Sequence, residues 1–256
     1  MGNKKYIFAG DSFTWGQGLQ YYGGFKDIKQ MRANHYEKDC LTNEHVDFIK
    51  QKRFSKTVAN HFNAIDLVKE ENGGSDFESI QFIKENISDD TEFVLLQTTQ
   101  PFRSPYRYVY NGEEKVIDGS NLHDDNYKIL EFKKYLIEEK INIDDWFNDL
   151  KKQIVSDIKE LAIQLNEKNI RFHIISWTKD YLDLFKSDNM LSEKFLNLEY
   201  DGYIFSCFET LFTMYPNMTI HLDYQFFGEG NTPPDHHMGL SGHNAVANII
   251  IKKLTS

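Results

Sequence analysis

A serine near the start of the chain and two histidines near its end are the residues best suited to nucleophilic chemistry. Ser12 follows Gly10 and Asp11, directly after the apolar run 6–9. A run of aromatic and branched residues that stops at a glycine predicts a buried strand ending in a sharp turn. Because open α/β sheets bind their ligands at the carboxyl ends of their strands, this position suits a nucleophile.

A serine hydroxyl becomes a strong nucleophile only when a general base accepts its proton and a further group orients that base. The segment 233–243, PPDHHMGLSGH, offers both kinds of group, because Asp235 directly precedes His236 and His237. A Ser, Asp and His set predicts acyl transfer, with either histidine able to act as the base.

The Gly10-Asp11-Ser12 turn on the first strand, with a late Asp and His pair, resembles the SGNH hydrolases, also called GDSL esterases and lipases. In that family a glycine follows the base histidine by five residues and opens the last helix, and His237 with Gly242 has this spacing. The resemblance therefore implies that His237 is the base and Asp235 the orienting acid. The family usually places its acid three residues before the histidine, whereas Asp235 lies two before His237.

The resemblance also implies which groups bind the oxyanion of the reacting ester. These are the backbone N–H groups of Ser12 and of Gly74, in a glycine-containing loop before a helix predicted over 77–87. The asparagine that the family usually carries after its third strand is missing here. Alignment of the strand ends puts Thr99 at that position with Gln100 beside it, and either side chain can donate a hydrogen bond.

Five residues are expected to contact the substrate: Asp11, Trp15, Arg103, Tyr106 and Tyr108. The alternating tyrosines predict a strand or ribbon with one aromatic face, and tyrosines near a site can stack on sugars or acyl groups. The alternative is that this face packs a lid. With no long apolar entrance in the sequence, we expect a small acyl group on a saccharide. The resemblance implies no cofactor and no metal.

Composition limits the class of partner. The chain has 256 residues and a formal charge of −10, without a long basic run, which argues against binding to nucleic acid or anionic membranes. Its length suits one domain, with insertions expected at about 23–52 and 101–140.

Cys40 and Cys207 lack metal spacing, so reduced thiols are expected. Without an apolar leader or spanning run, the expected location is cytoplasmic. No pattern indicates an oligomeric state.

Strands alternate with helices along the chain. The predicted strands, after the first, are 64–68, 92–97, 170–177 and a short fifth strand at 218–222. The predicted helices are 53–62, 77–87, 143–165 and the last segment, and residues 180–215 are predicted to be helical with breaks whose positions the sequence does not assign. This order predicts a three-layer α/β/α sandwich with a mostly parallel sheet, and the SGNH resemblance implies a flavodoxin-like arrangement.

Two other functions use the same residues. A binding protein could keep the fold and lack activity, which the missing asparagine favours. A metal-dependent phosphoesterase could use Asp235, His236, His237 and His243 as ligands, although adjacent ligands point apart and no second cluster completes the site. Ester hydrolysis measured with and without a chelator separates these functions.

Overall fold

The described residues form an α/β structure around a four-stranded parallel sheet. The computed structural model describes residues 4–25, 41–70, 74–118, 127–220 and 237–255. The sheet has the order β2-β1-β3-β6, with strands β1 (Lys4–Ala9), β2 (Ala64–Val68), β3 (Thr91–Thr98) and β6 (Arg171–Ser176). Because β1 has β2 on one side and β3 on the other, the strand order reverses there. In open α/β sheets, ligands bind at such a switch point, outside the carboxyl ends of the strands.

Helices and two hairpins connect and cover these strands. The helices are α1 (Ser12–Trp15), α2 (Asn43–Lys52), α3 (Phe54–His61), α4 (Asp76–Asn86), α5 (Tyr127–Glu138), α6 (Ile143–Glu167), α7 (Leu182–Ser187), α8 (Asn189–Lys194), α9 (Phe208–Met214) and α10 (Leu240–Thr255). The hairpins are β4 (Pro105–Tyr110) with β5 (Glu113–Asp118), and β7 (Leu198–Tyr200) with β8 (Tyr203–Phe205). Short 3-10 turns lie at Leu19–Tyr22, Pro101–Arg103 and Pro216–Met218.

Alternate residues of each central strand point to opposite faces of the sheet and so enter two apolar cores. Tyr6 and Phe8 pack on one face with α3 and α10. Ile7 and Ala9 pack on the other face with α4 and α6. Helices therefore flank both faces of the sheet, and the predicted α/β class is confirmed.

Most predicted elements are confirmed to within a few residues, because their patterns are local. The helix predicted over 143–165 is α6, whose first turn is capped by Asn142 accepting the Asp145 N–H at 2.8 Å. Part of the expected insertion at 23–52 is a regular helix, α2, because Thr42 caps it by accepting the His45 N–H.

One prediction in the second half of the chain is wrong. In the described part of 218–222, Met218 ends a 3-10 turn and Thr219 makes a single antiparallel bridge with Met238, so no fifth sheet strand forms there. Residues 180–215 are helical with breaks, as predicted: α7, α8 and α9 lie there, and the β7–β8 hairpin forms the break between α8 and α9. Asp201 and Gly202 have φ values of 51° and 78°, which a two-residue turn between antiparallel strands requires.

No helix within the described ranges is long and apolar enough to cross a bilayer. Cys207 is a buried free thiol. Cys40 lies outside the described residues.

Candidate active site

Ser12 is the first residue of α1, at the carboxyl end of β1. Asp11 caps this helix by accepting the Phe13 N–H at 3.0 Å. The helix is only four residues long and ends at Gly16, whose φ of 93° is left-handed. The tight turn holds the Ser12 hydroxyl at the switch point of the sheet.

Gly10 is required for this turn. A Cβ at Gly10 would collide with the Thr14 hydroxyl and would lie 2.8 Å from the Cβ of Gln97. The space is closed because Thr14 donates a hydrogen bond to Gln97 at 2.6 Å, which links α1 to the end of β3. Any larger residue would force α1 away from the sheet.

His237 lies against Ser12, from which it is separated by 225 positions in the chain. Its Nε2 atom is 2.8 Å from the Ser12 Oγ atom, within hydrogen-bond distance of a nucleophile and its base. The His237 carbonyl accepts the Ile220 N–H at 3.0 Å. Gly18 leaves room for this segment, since a Cβ there would strike Ile220 and lie 3.8 Å from the His237 Cβ.

An aromatic stack holds the plane of the His237 ring. The ring of Phe13, next to Ser12, lies 5.1 Å from the His237 ring at an interplanar angle of 28°. The Phe13 ring also stacks on the Trp177 ring, with the ring centres 4.0 Å apart and an interplanar angle of 26°. Such stacked rings restrict one another. Sequence analysis missed Trp177, and the available signal was its place directly after the strand β6.

Asp11 is almost completely buried, at 2% exposed, and joins several donors beneath the nucleophile turn. Besides the Phe13 N–H, it accepts the Gln97 amide at 2.8 Å and the Thr99 hydroxyl at 2.9 Å. The Arg103 guanidinium lies 3.6 Å from its Oδ2 atom. Because its oxygens are occupied in the interior, Asp11 supports the turn and offers no open surface to a substrate.

A second buried carboxyl, Asp76, begins α4 and is fully buried. It accepts the Thr99 N–H at 2.8 Å and the Tyr181 hydroxyl at 2.6 Å. Burial raises the pKa of Asp76 to about 7, and the charge of Asp11 adds to this effect. No pattern in the sequence indicated that Asp76 and Tyr181 meet.

The expected oxyanion donors differ in their surroundings. The Ser12 N–H donates to none of the described residues. Gly74 precedes α4 by two positions, and a Cβ there would strike the Lys69 amino group. Both donors of Thr99 are engaged by carboxylates, its N–H by Asp76 and its hydroxyl by Asp11. Gln100 is half-buried, directly before the 3-10 turn.

The expected substrate contacts Trp15, Tyr106 and Tyr108 lie in the interior. Trp15 is 1% exposed and packs with Leu19 and Ile49. Tyr106 and Tyr108 lie on strand β4, as the alternation predicts, but their face packs against helices α5 and α6. The tyrosine stripe is therefore the packed face of a hairpin. Arg103, by contrast, is partly exposed at the site.

Asp235 and His236 lie outside the described residues, so their predicted roles remain predictions. His243, the fourth candidate metal ligand, is fully buried in α10, where its Nδ1 atom accepts the Phe54 N–H at 3.2 Å. Burial lowers the pKa of His243 to about 3. Within the described ranges, no three His, Cys, Asp or Glu side chains form a group that could hold a metal ion.

Compared with known proteins, the chain matches no protein-family model, no curated protein and no solved structure.

Proposed function

We propose that this chain is a serine ester hydrolase of the SGNH, or GDSL, type. The observation that carries the proposal is the 2.8 Å contact between the His237 Nε2 atom and the Ser12 Oγ atom. A base in contact with a serine at the switch point of a parallel sheet is the arrangement that activates a hydroxyl. The strand order β2-β1-β3-β6 also agrees with a flavodoxin-like sheet.

The proposed reaction has two halves. Ser12 Oγ attacks the ester carbonyl carbon while His237 Nε2 takes the hydroxyl proton, and His237 then gives that proton to the departing alcohol. The acyl group stays on Ser12. In the second half His237 takes a proton from water, the hydroxide oxygen attacks the acyl carbon, and the carboxylic acid leaves as the proton returns to Ser12.

The other proposed roles follow from this reaction. Asp235 accepts a hydrogen bond from the His237 Nδ1–H, which keeps Nε2 free to act as a base, while the Phe13 ring holds the imidazole plane. The N–H groups of Ser12 and Gly74 donate to the oxyanion. Since the tyrosines that suggested a saccharide are packed inside, the proposal names the ester bond and leaves the alcohol open.

The test is hydrolysis of p-nitrophenyl acetate, with labelling of the protein by a fluorophosphonate probe. We expect Ser12→Ala to abolish both hydrolysis and labelling. Ser192→Ala, on an exposed face of α8, is the matched control and should behave as wild type. A chelator should have no effect. Loss of activity with the chelator would favour a metal site, and absence of both turnover and labelling would favour a binding protein.

The two histidines are compared in the same assay. His237→Ala should lose hydrolysis, because no other described base contacts Ser12, whereas His236→Ala should retain it. If the His236 variant is the inactive one, the base assignment is wrong.

A further inference from the structure

At the end of β3, Thr99, one of the two side chains expected to donate to the oxyanion, has both of its donors engaged by other groups. Thr99 stands where the SGNH resemblance places an asparagine, but its N–H donates to Asp76 and its hydroxyl donates to Asp11. Releasing either donor would leave a buried carboxyl oxygen without that partner, which costs free energy. Thr99 is therefore a support for the turn and is not available to the oxyanion.

The same two carboxyl groups create an electrostatic problem. Asp11 is adjacent to the nucleophile and 2% exposed, and Asp76 is joined to it through Thr99. An oxyanion that forms beside Ser12 would be repelled by negative charge in this poorly solvated region. A nearby cation would offset the repulsion and stabilise the transition state.

Arg103 is the cation that the structure places there. Its guanidinium lies 3.6 Å from the Asp11 Oδ2 atom, with 30% of the side chain exposed. It also lowers the pKa of Asp76, against the larger effect of burial. Among the described residues, Arg103 is the one basic side chain in a salt bridge with Asp11. A guanidinium has five N–H donors, so contact with one carboxylate leaves others for a ligand.

The backbone holds Arg103 in this position. Directly after β3, Pro101 starts a 3-10 turn in which the Arg103 N–H donates to the Gln100 carbonyl at 3.1 Å. The next N–H, that of Ser104, donates to the Pro101 carbonyl at 2.9 Å. This turn closes at the same edge of the sheet as Ser12, so the guanidinium does not depend on a long loop for its placement.

We propose that Arg103 is a catalytic residue that donates a guanidinium hydrogen bond to the oxyanion and takes the place of the missing asparagine. The inference rests on the serine hydrolase mechanism proposed above. Its chemistry is charge stabilisation only: no bond to Arg103 forms or breaks, and the guanidinium transfers no proton.

The experiment compares Arg103→Ala and Arg103→Lys with Arg107→Ala. Arg107 is a suitable control because its guanidinium pairs with Asp157 at 2.7 Å on an exposed part of β4. With p-nitrophenyl acetate, an uncharged ester, we expect Arg103→Ala to lower kcat by about 10² to 10³ with little change in KM. Arg103→Lys should recover part of the loss, since it keeps the charge and loses the planar donor pair.

Added guanidinium ion is the readout that a purely structural role would not change. Millimolar guanidinium should raise kcat of Arg103→Ala and leave Arg107→Ala and the wild type unchanged. Circular dichroism and thermal unfolding of each variant show that it is folded, and Arg103→Lys carries the test if the alanine variant unfolds.

A second ester separates binding from catalysis. If Arg103 instead binds an anionic acyl group, the alanine variant will raise KM for mono-p-nitrophenyl succinate and leave kcat for the acetate unchanged, which overturns the inference. Wild-type kcat in a folded Arg103→Ala variant, with Ser12 still labelled by the fluorophosphonate, overturns it while the proposed function stands. A wild-type protein that neither hydrolyses esters nor labels at Ser12 overturns both.

Discussion

Asp76, the buried carboxyl group at the start of α4, allows a quantitative test of the structure. The substitution Asp76→Asn keeps the side-chain shape, and the amide oxygen can still accept the Thr99 N–H. The amide nitrogen can donate to the Tyr181 oxygen, which now donates to Asp76 at 2.6 Å. The variant therefore removes mainly the ability of this side chain to carry a negative charge. We expect it to be more stable than the wild type, by an amount that depends on pH.

The magnitude follows from the pKa. Burial raises the pKa of Asp76 from 3.8 to about 7. Below pH 3.8 the folded and the unfolded chain both hold the proton, so this group costs nothing. Between pH 3.8 and about 7 only the unfolded chain releases it, so the wild type loses stability as pH rises. Above that window the full cost is about 4 kcal/mol, at roughly 1.36 kcal/mol per pKa unit.

The assay is urea unfolding of the wild type and of Asp76→Asn at pH 5 and pH 8. The difference between the unfolding free energies of the two proteins at each pH removes the contribution of other titrating groups. One of these is His243, which lowers the stability of the wild type as pH falls, whereas Asp76 lowers it as pH rises. The stability difference between the proteins should grow by about 3 kcal/mol from pH 5 to pH 8, since most of the titration falls between them.

The control is Asp89→Asn, at an exposed turn position, which should show the same stability difference from wild type at both pH values. A constant difference for Asp76→Asn as well would mean that the folded chain ionises Asp76 as readily as the unfolded chain does. That result would refute the assignment of Asp76 to a dry interior.

Three further outcomes are expected. His243→Gln should remove an acid-sensitive term: the folded pKa of about 3 lies below the ordinary 6.5, so the wild type should lose up to about 5 kcal/mol relative to the variant as pH falls from 6.5 to 3 in urea titrations. Gly10→Ala should destabilise the fold by about 1–3 kcal/mol and lower esterase kcat, because its Cβ meets the Thr14 hydroxyl; unchanged unfolding would contradict the turn geometry. Tyr106→Phe should cost about 1 kcal/mol through its lost bond to Asp149 and leave ester KM unchanged, whereas a raised KM would place this tyrosine at the substrate.

The sequence by itself determined the local elements and the types of reactive group. The apolar run 6–9 and the near-continuous apolar run 170–177 predict strands covered on both faces, and they lie in β1 and β6. The apolar residues of the segment 143–165 recur every 3.6 residues. Because this is the period of an α-helix, they predicted α6. The pairing of Ser12 with a late histidine also came from residue types and order, and the 2.8 Å contact agrees with it.

Only the tertiary structure decided which polar groups are buried and hydrogen-bonded within the protein, and so are not available to a ligand. Alternating tyrosines look the same whether their face packs on helices or meets a ligand, and it is the packing of β4 on α5 and α6 that buries Tyr106. A threonine always carries two hydrogen-bond donors, its N–H and its hydroxyl. In Thr99 both are occupied because Asp11 and Asp76 approach from two other segments of the chain. Such contacts join distant positions, and side-chain type and spacing do not encode them, because they depend on how whole elements pack.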